Sequence, residues 1–392
     1  MSSPSPFEGG NMFEALFAQL GRMFSGEGPV QWELARQFAQ WAATNGETEP
    51  NVEPLERMRL EELVRVAELH VAEATGLAVS TTGGVVRVRP VNRSEWASAT
   101  LEAWKPLLAA LAEALTPPAE PGGGDEASAA GPLGMLGPLM PGLQAAFMGL
   151  QAGSMVGSMA QRALGQYDLP IPRPPGDELM IVAPNVSGFA EDWSLPPDDV
   201  RLWVCLSELS HHAVLGRPHV RRRLESDLAA YVSGFDPSAA QLDERLADVD
   251  PSDPESLQRA LGDPSALLGA VQTDEQRRLL GPLSCLVAVI EGYVDHVVDV
   301  AGRRLIASHG PITEALRRRR VERGSGERMV EQLLGMELRQ DAYDRGAAFV
   351  AGVVERAGET GLARLWEAER TLPTPAELAA PGLWLERIDL PD

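Results

Sequence analysis

Apolar residues recur at helical spacing along most of this chain, and the pattern predicts a mainly α-helical protein. It begins in residues 12–24, where the apolar side chains share one face of a predicted helix. Comparable runs predict the further helices 32–44, 53–75, 94–115, 139–164, 200–215, 218–233, 239–247, 255–261, 274–306, 312–322 and 326–357.

A small β element interrupts this helical pattern. Two short β-rich runs within residues 77–91 flank Thr81-Thr82-Gly83-Gly84, and this arrangement predicts a short hairpin. Residues 179–183 predict one more short strand. The expected fold class is therefore mainly α with a small β element.

Segments of low complexity divide the chain. Residues 1–11 are rich in Ser, Pro and Gly, and we expect them to form a disordered N-terminus. Residues 117–137 contain a run of Pro, Gly and Ala that predicts a flexible linker. These segments leave an N-terminal helical region with the hairpin, residues 12–116, and a larger helical domain, residues 138–392.

Two of the predicted helices could contact a membrane or the protein's own core. Residues 12–24 carry a single arginine, whereas helices that lie on membranes are rich in Lys and Arg. Residues 139–164 contain Gly149-x-x-x-Gly153-x-x-x-Gly157, which suits close helix packing in a membrane or in a soluble core. Several glutamines and serines interrupt this second run and favour the soluble core. A membrane-associated protein is thus the least favoured class.

Composition limits the partners and the compartment. Among 392 residues, 56 are acidic and 34 are Lys or Arg, which gives a formal net charge of −22. This charge repels nucleic acid and anionic membranes, so a protein or peptide is the expected partner. Cys205 and Cys285 lie in apolar helical runs, and we expect both to be buried and free. No basic segment precedes an apolar run at the N-terminus, so we expect a cytoplasmic protein.

The strongest chemical signal is an incomplete zinc-binding motif in the predicted helix 200–215. In the H-E-x-x-H pattern, two histidines on one helix face bind zinc, and the glutamate activates a zinc-bound water. Here Glu208 and His211 hold the second and fifth positions, but the first position is Ser207. Glu291, in an apolar part of a later predicted helix, is the candidate for the distant third ligand.

Other residues near this motif are candidates for substitute ligands. They are His212, Asp295, His296 and the hydroxyl of Ser207. Each has a simpler interpretation, because His212 lies about 100° around the helix from His211, and Asp295 can belong to a solvated stripe. A hydrogen bond from Ser207 to His211 is conceivable across one turn. The sequence contains no recognisable oxyanion hole, however, and serine hydrolysis is disfavoured.

Beyond this motif, nearly the entire chain resembles the bacterial family of zincin-like hydrolases and zinc-dependent metalloproteases, in a branch that lacks the first motif histidine. The matching segments are MFEALFAQLGRMFSGEGPVQWELARQFA, LPPDDVRLWVCLSELSHHAVL, LSCLVAVIEGYVDHVVDVAGRRL, ITEALRRRRVERGSGERMVEQLLGMELRQDAYDRGAAFV and LWEAERTLPTPAELAAPGLWLERI. The resemblance implies a zincin-like helical metallopeptidase fold for residues 138–392.

The resemblance also implies a ligand set. In complete family members, zinc is bound by both motif histidines and by the Glu of an E-G-x-x-D segment, and the motif Glu is the general base. Carried over, this assigns His211 and Glu291 as zinc ligands and Glu208 as the base, with Ser207 in place of an imidazole. Since a catalytic zinc takes three protein ligands, the residues favour a degenerate pseudo-hydrolase with weak or no zinc binding. The alternative is an active zinc-dependent peptidase or hydrolase that uses Glu208.

Overall fold

The computed structural model describes residues 28–116, 140–235, 273–322, 324–336 and 340–390. The predicted helices 12–24, 239–247 and 255–261, the N-terminal residues 1–11 and the linker 117–137 lie outside them. The described residues are mainly α-helical, and the expected fold class is confirmed. In chain order the elements are α1 (Trp32–Thr44), α2 (Pro54–Thr75), β1 (Arg87–Val91), α3 (Arg93–Ala114), α4 (Met140–Ala160), β2 (Glu178–Val182), α5 (Ala183–Asp192), α6 (Pro197–Leu215), α7 (Pro218–Ser233), α8 (Asp274–Leu305), α9 (His309–Val321), α10 (Ser325–Leu334), α11 (Gln340–Ala363), the 3-10 turns Arg364–Trp366 and Glu369–Thr371, α12 (Pro375–Leu378) and α13 (Pro381–Ile388).

Local capping signals set the start of two long helices. The side chain of Asn92 accepts a hydrogen bond from the backbone N–H of Glu95, and the Glu95 carboxylate accepts one from the backbone N–H of Asn92. The cap of α3 is therefore Asn92, and the helix begins one residue before the predicted start at residue 94. Thr273 and Gln276 form the same reciprocal pair at the start of α8. Such caps satisfy backbone donors that the first helical turn leaves unpaired.

The predicted helix 326–357 is two helices, α10 and α11. The break lies at Gly335, whose φ of 65° is in the left-handed region that favours glycine. A Cβ at this position would also lie 2.8 Å from the ring of Tyr231 and 2.6 Å from the side chain of Leu280. The chain turns here because only glycine combines this backbone conformation with this close packing.

The predicted hairpin is wrong. β1 pairs in parallel with β2, in a register that runs from Arg87 opposite Glu178 to Val91 opposite Val182. Residues 77–86 contain no strand. Their polar part forms a loop around Asp177, whose carboxylate accepts hydrogen bonds from the following partners: the hydroxyls of Ser80, Thr81 and Thr82 and the backbone N–H groups of Thr81 and Thr82. These side chains are therefore used to anchor a loop across the fold.

The glycine stripe of α4 packs against α1 at backbone contact. A Cβ at Gly153 would lie 2.5 Å from the carbonyl oxygen of Ala35, and one at Gly157 would lie 2.7 Å from that of Ala39. The interpretation of this stripe as a close-packing face within the protein is confirmed. No helix in the described part of the chain is long and apolar enough to cross a membrane.

A second close helix contact lies between α8 and α11. A Cβ on Gly292 would overlap the backbone of Gly346, and one on Gly346 would overlap the carbonyl of Ala288. This close crossing fixes the position of α8 against α11 at Gly292, the residue that follows Glu291. The buried apolar side chains form one cluster that includes residues on both sides of the segment 117–139. The helices that carry the predicted site, α6 and α8, both contribute to this cluster.

Candidate functional site

The predicted juxtaposition of α6 and α8 brings a histidine and a glutamate together. Nε2 of His211 lies 3.2 Å from Oε1 of Glu291, and the two side chains are only 6% and 7% exposed. The motif on α6 and the distant carboxylate on α8 therefore share one buried site. A buried carboxylate requires a partner of this kind, because desolvation of an unpaired charge is costly.

Each ring nitrogen of His211 faces an oxygen atom. Its Nδ1 lies 3.0 Å from the carbonyl oxygen of Ser207, and its Nε2 faces the carboxylate of Glu291. The carbonyl oxygen accepts a hydrogen bond, and one proton lies between Nε2 and the Glu291 carboxyl group. Burial acts to lower the pKa of His211, but the charge and hydrogen bond of Glu291 and the charge of Glu208 outweigh it and raise the pKa above 6.5.

Glu208 is held by the backbone of a segment that precedes β2. Its Oε2 accepts hydrogen bonds from the N–H of Gln166 at 2.8 Å and from the N–H of Tyr167 at 2.9 Å. Gly165 lies against the same carboxylate, and a Cβ there would overlap it. The indole Nε1 of Trp96 donates to the carbonyl oxygen of Gly165 at 2.8 Å and holds this segment in place. Residues 165–167, called here the Glu208 cradle, thus enclose the carboxylate.

Burial also changes the acidity of Glu208. It raises the pKa of this carboxyl to about 7, against the charge of His211 and the backbone donors of the Glu208 cradle, which lower it. A carboxyl with this pKa exchanges its proton near neutral pH. A strongly shifted pKa of this kind is common at functional sites and also occurs in structural networks.

Tyr167 is a site residue that the sequence interpretation missed. Besides its backbone contact with Glu208, its ring stacks on that of His211, with centroids 6.0 Å apart and planes 23° apart. Its hydroxyl lies 3.0 Å from Nδ1 of His212. Tyr167 lies about forty residues before the motif and outside any described helix, so no periodicity or spacing signal connects it to the site.

Ser207 lines the same cavity as the His211–Glu291 pair, but the other substitute ligands proposed from the sequence, His212, Asp295 and His296, do not join the pair. His212 faces the hydroxyl of Tyr167, and its Nε2 lies 3.9 Å from Asp177. Asp295 accepts two hydrogen bonds from Arg320, at 2.7 Å each. His296 pairs with Glu359, at 3.1 Å. His212 lies about 100° around α6 from His211, and His296 lies about 140° around α8 from Glu291, so both meet other elements. Asp295 shares the helix face of Glu291, but its carboxylate is paired with Arg320.

A cavity of about 110 Å³ opens onto the site. Its walls include Ser207, Glu208, His211 and Glu291 together with Tyr167. The rest of the wall consists of charged side chains of both signs and of aliphatic and aromatic side chains. They are Arg162, Leu164, Asp168, Leu169, Trp203, Val204, Leu316, Arg319, Arg320, Glu331 and Tyr343. At roughly 30 Å³ per water molecule, the cavity has room for a few waters or one small chemical group.

The donor atoms at this site do not fit a catalytic zinc. Such a zinc takes three protein ligands and a water. His211 and Glu291 provide two donors, and the first position of the motif, which would supply the third ligand, carries only the neutral hydroxyl of Ser207. Among the described residues there is no group of three or more His, Cys, Asp or Glu placed to hold a metal ion.

Comparison with known proteins agrees with the family resemblance and the fold. Residues 30–385 match the family model described as Zincin-like metallopeptidase, and the chain belongs to this family. It is similar to a solved structure, that of a hydrolase candidate with a novel fold from Chloroflexus aurantiacus. The two share 26% sequence identity with a TM-score of 0.65, over 93% of this chain and 100% of the other. No curated protein matches the chain. The resemblance that the sequence indicates is confirmed.

Proposed function

We propose that this protein is a pseudo-hydrolase of the zincin-like family, with weak or no zinc binding and a binding function at the former catalytic site. The observation that carries the proposal is the 3.2 Å hydrogen bond between His211 Nε2 and Glu291 Oε1, beside a serine in the remaining ligand position. The two candidate ligands satisfy one another, with a proton between them.

The protonation of His211 supports this proposal. Zinc binds neutral imidazole, so a metal would have to displace the proton of Nε2 and break the pair with Glu291. Loss of outer partners alone lowers zinc affinity ~10–100-fold, and the loss of a direct imidazole ligand at position 207 lowers it further. The buried His211–Glu291 pair therefore competes with a metal that has too few ligands.

The position of Glu208 also supports a structural role. In a zinc hydrolase the motif glutamate must reach the water that it activates. Here one carboxylate oxygen accepts two backbone hydrogen bonds from Gln166 and Tyr167. Glu208 thereby ties the Glu208 cradle to α6, an interaction that stabilises the fold without any metal.

The proposed binding function uses the cavity that the site retains. We infer a protein or peptide ligand, because the net charge of −22 disfavours nucleic acid and anionic membranes. A short polar side chain or a chain terminus matches the size of the 110 Å³ cavity. Zinc is not required for such binding.

An active zinc-dependent peptidase is the second candidate. The observation that favours it is that Glu208, His211 and Glu291 all line the same cavity. In this alternative, Glu208 is the general base, and the third ligand is supplied by Ser207 or by a rearrangement of α6.

Metal analysis separates the two candidates. The full chain, produced without a histidine tag, is incubated with one equivalent of zinc, gel-filtered and analysed by mass spectrometry for bound metal. We expect far less than one zinc per native chain, the same for a Ser207→Ala control, and close to one zinc per chain for Ser207→His. Stoichiometric zinc in the native chain that is lost in Glu291→Gln would establish the active candidate. No zinc in Ser207→His would contradict the view that His211 and Glu291 are a former ligand pair.

A further inference from the structure

A second cavity, of about 480 Å³, lies between α8, α11 and the segment that carries α12 and α13. Most of its wall is apolar and is formed by Leu280, Ala348, Pro375, Leu378 and Pro381. A mainly apolar cavity of roughly 300–1,000 Å³ with a few polar groups is typical of a small-molecule site. It is called here the Arg345 cavity, after the one charged side chain that the described residues contribute to its wall.

Ser284 contributes a buried hydroxyl group to the Arg345 cavity. The residue is 8% exposed, and its hydroxyl makes no hydrogen bond within the described part of the chain. A serine inside a helix can donate to the carbonyl oxygen four residues earlier, as Ser210 does to Leu206. Because a buried hydroxyl without a partner costs free energy, Ser284 favours a ligand that bonds it from within the cavity.

Arg345 contributes an unpaired positive charge to the same wall. Its guanidinium makes no ion pair and no hydrogen bond with any residue that the structure describes. Its charge also acts on the buried thiol of Cys285, which lines the cavity. Burial and the charge of Glu377 raise the pKa of this thiol to about 12, and the charge of Arg345 opposes them. The field of the guanidinium therefore reaches into the cavity and favours an anion there.

The polar groups of the wall fit a carboxylate that carries an apolar tail. Ser284 and Arg345 can both donate, and the oxygen atoms of a carboxylate only accept. One arginine balances the single charge of a carboxylate, whereas a phosphate monoester carries a charge close to −2. A peptide segment fits less well, because its backbone N–H and C=O groups would lie against an apolar wall with few partners.

We propose that the Arg345 cavity binds a small amphipathic carboxylate of the medium-chain fatty acid class. The carboxylate would bond Arg345 and Ser284, and the tail would lie against Leu280 and Leu378. At roughly 30 Å³ per water-sized group, the cavity has room for a ligand of about ten heavy atoms. This site goes beyond the proposed function, because it shares no lining residue with the cavity at the His211–Glu291 pair.

Another cavity of similar size provides a comparison within the molecule. Its volume is about 510 Å³, and its wall includes Arg304 of α8, an exposed arginine that also makes no ion pair among the described residues. The carboxylates of Glu73 and Glu359 lie in the same wall and would repel an anionic ligand. Arg304→Gln is therefore the matched control for Arg345→Gln.

Isothermal titration calorimetry of the full chain with octanoate tests the proposal. We expect one saturable site per chain and at least about tenfold weaker binding of 1-octanol, which lacks the charge. Arg345→Gln should weaken octanoate binding at least about tenfold, because it removes a charge-assisted hydrogen bond, whereas Arg304→Gln should leave the affinity unchanged. Ala348→Phe, at an exposed position in the wall, should abolish binding by filling the cavity. Circular dichroism shows whether each variant is folded.

The same titrations define the results that would overturn the proposal. They are a native chain with no saturable octanoate binding, an unchanged affinity in Arg345→Gln, and binding that survives in Ala348→Phe. Equal affinities for 1-octanol and octanoate would identify a purely apolar site. Tighter binding of a short peptide with a C-terminal leucine than of octanoate would identify a peptide terminus as the occupant in place of a small molecule.

Discussion

Gly165 lies against the carboxylate of Glu208, and the absence of a side chain at Gly165 is what permits this contact. A Cβ at that position would lie 2.7 Å from Cγ of Glu208 and still closer to its carboxyl group. The segment cannot move away easily, because the carbonyl of Gly165 accepts a hydrogen bond from the buried indole of Trp96. The Glu208 cradle therefore depends on glycine at one position.

Gly165→Ala should accordingly destabilise the protein by about 1–3 kcal/mol, the usual penalty of overpacking. Urea unfolding followed by circular dichroism measures this difference. Gly176→Ala serves as the control, because a Cβ at Gly176 has no neighbour within 4 Å. Equal stability of the two variants would show that Glu208 and the cradle are not packed as described.

Removal of one partner of the buried His211–Glu291 pair should have a large effect. We expect Glu291→Ala to lower the free energy of unfolding by about 3–5 kcal/mol, because it leaves a buried histidine without its counter-charge. The exposed pair Asp299–Arg303 on the same helix provides the comparison, with side chains 39% and 72% exposed. Asp299→Ala should change the free energy by less than about 1 kcal/mol. Similar losses in the two variants would contradict the buried pairing.

Stability should decrease as pH rises through neutrality. Folded Glu208 keeps its proton to pH about 7, whereas the unfolded carboxyl releases it near 4.5, so the folded state binds more protons between these values. The raised pKa of His211 acts in the same direction: its contribution is complete below pH 6.5 and is lost as pH rises through the folded pKa.

Glu208→Gln isolates the first of these contributions. The amide oxygen can accept the same backbone hydrogen bonds but does not titrate, so the fall in stability between pH 4.5 and 7 should lessen by on the order of 1–3 kcal/mol. Urea titrations across this pH range measure it. Identical pH profiles for the native chain and Glu208→Gln would show that Glu208 ionises normally in the folded protein.

Restoration of the missing imidazole should create a zinc site that releases protons. Zinc binding to Ser207→His requires His211 to lose its Nε2 proton, so the apparent binding enthalpy should vary with the ionisation enthalpy of the buffer. Isothermal titration calorimetry in two buffers of different ionisation enthalpy measures this. Zinc binding to Ser207→His without proton release would contradict the presence of a proton between His211 and Glu291.

Most of the helices and the central pair of the site could be predicted from the sequence, whereas α5, α12 and α13 were missed. The helices that were predicted follow apolar periodicity and end signals that act within a few residues, as at Thr273 and at Gly216, where α7 is separated from α6. The pairing of His211 with Glu291 could be predicted because both residues lie in apolar helical runs, where an ionisable side chain requires a partner. The glycine stripe of α4 was interpreted correctly for a related reason, since small residues at a four-residue spacing indicate close helix packing.

The rest was decided by tertiary structure, because the partners are distant in the sequence. β1 pairs with β2 across some ninety residues, and the polar run that resembled a hairpin turn instead binds Asp177. The Glu208 cradle comes from a non-helical segment about forty residues before the motif. The sequence by itself determined which side chains needed partners. The crossing of α6 and α8 and the path of the backbone around them determined which partner each side chain obtained, because these contacts depend on directions in space that local periodicity does not contain.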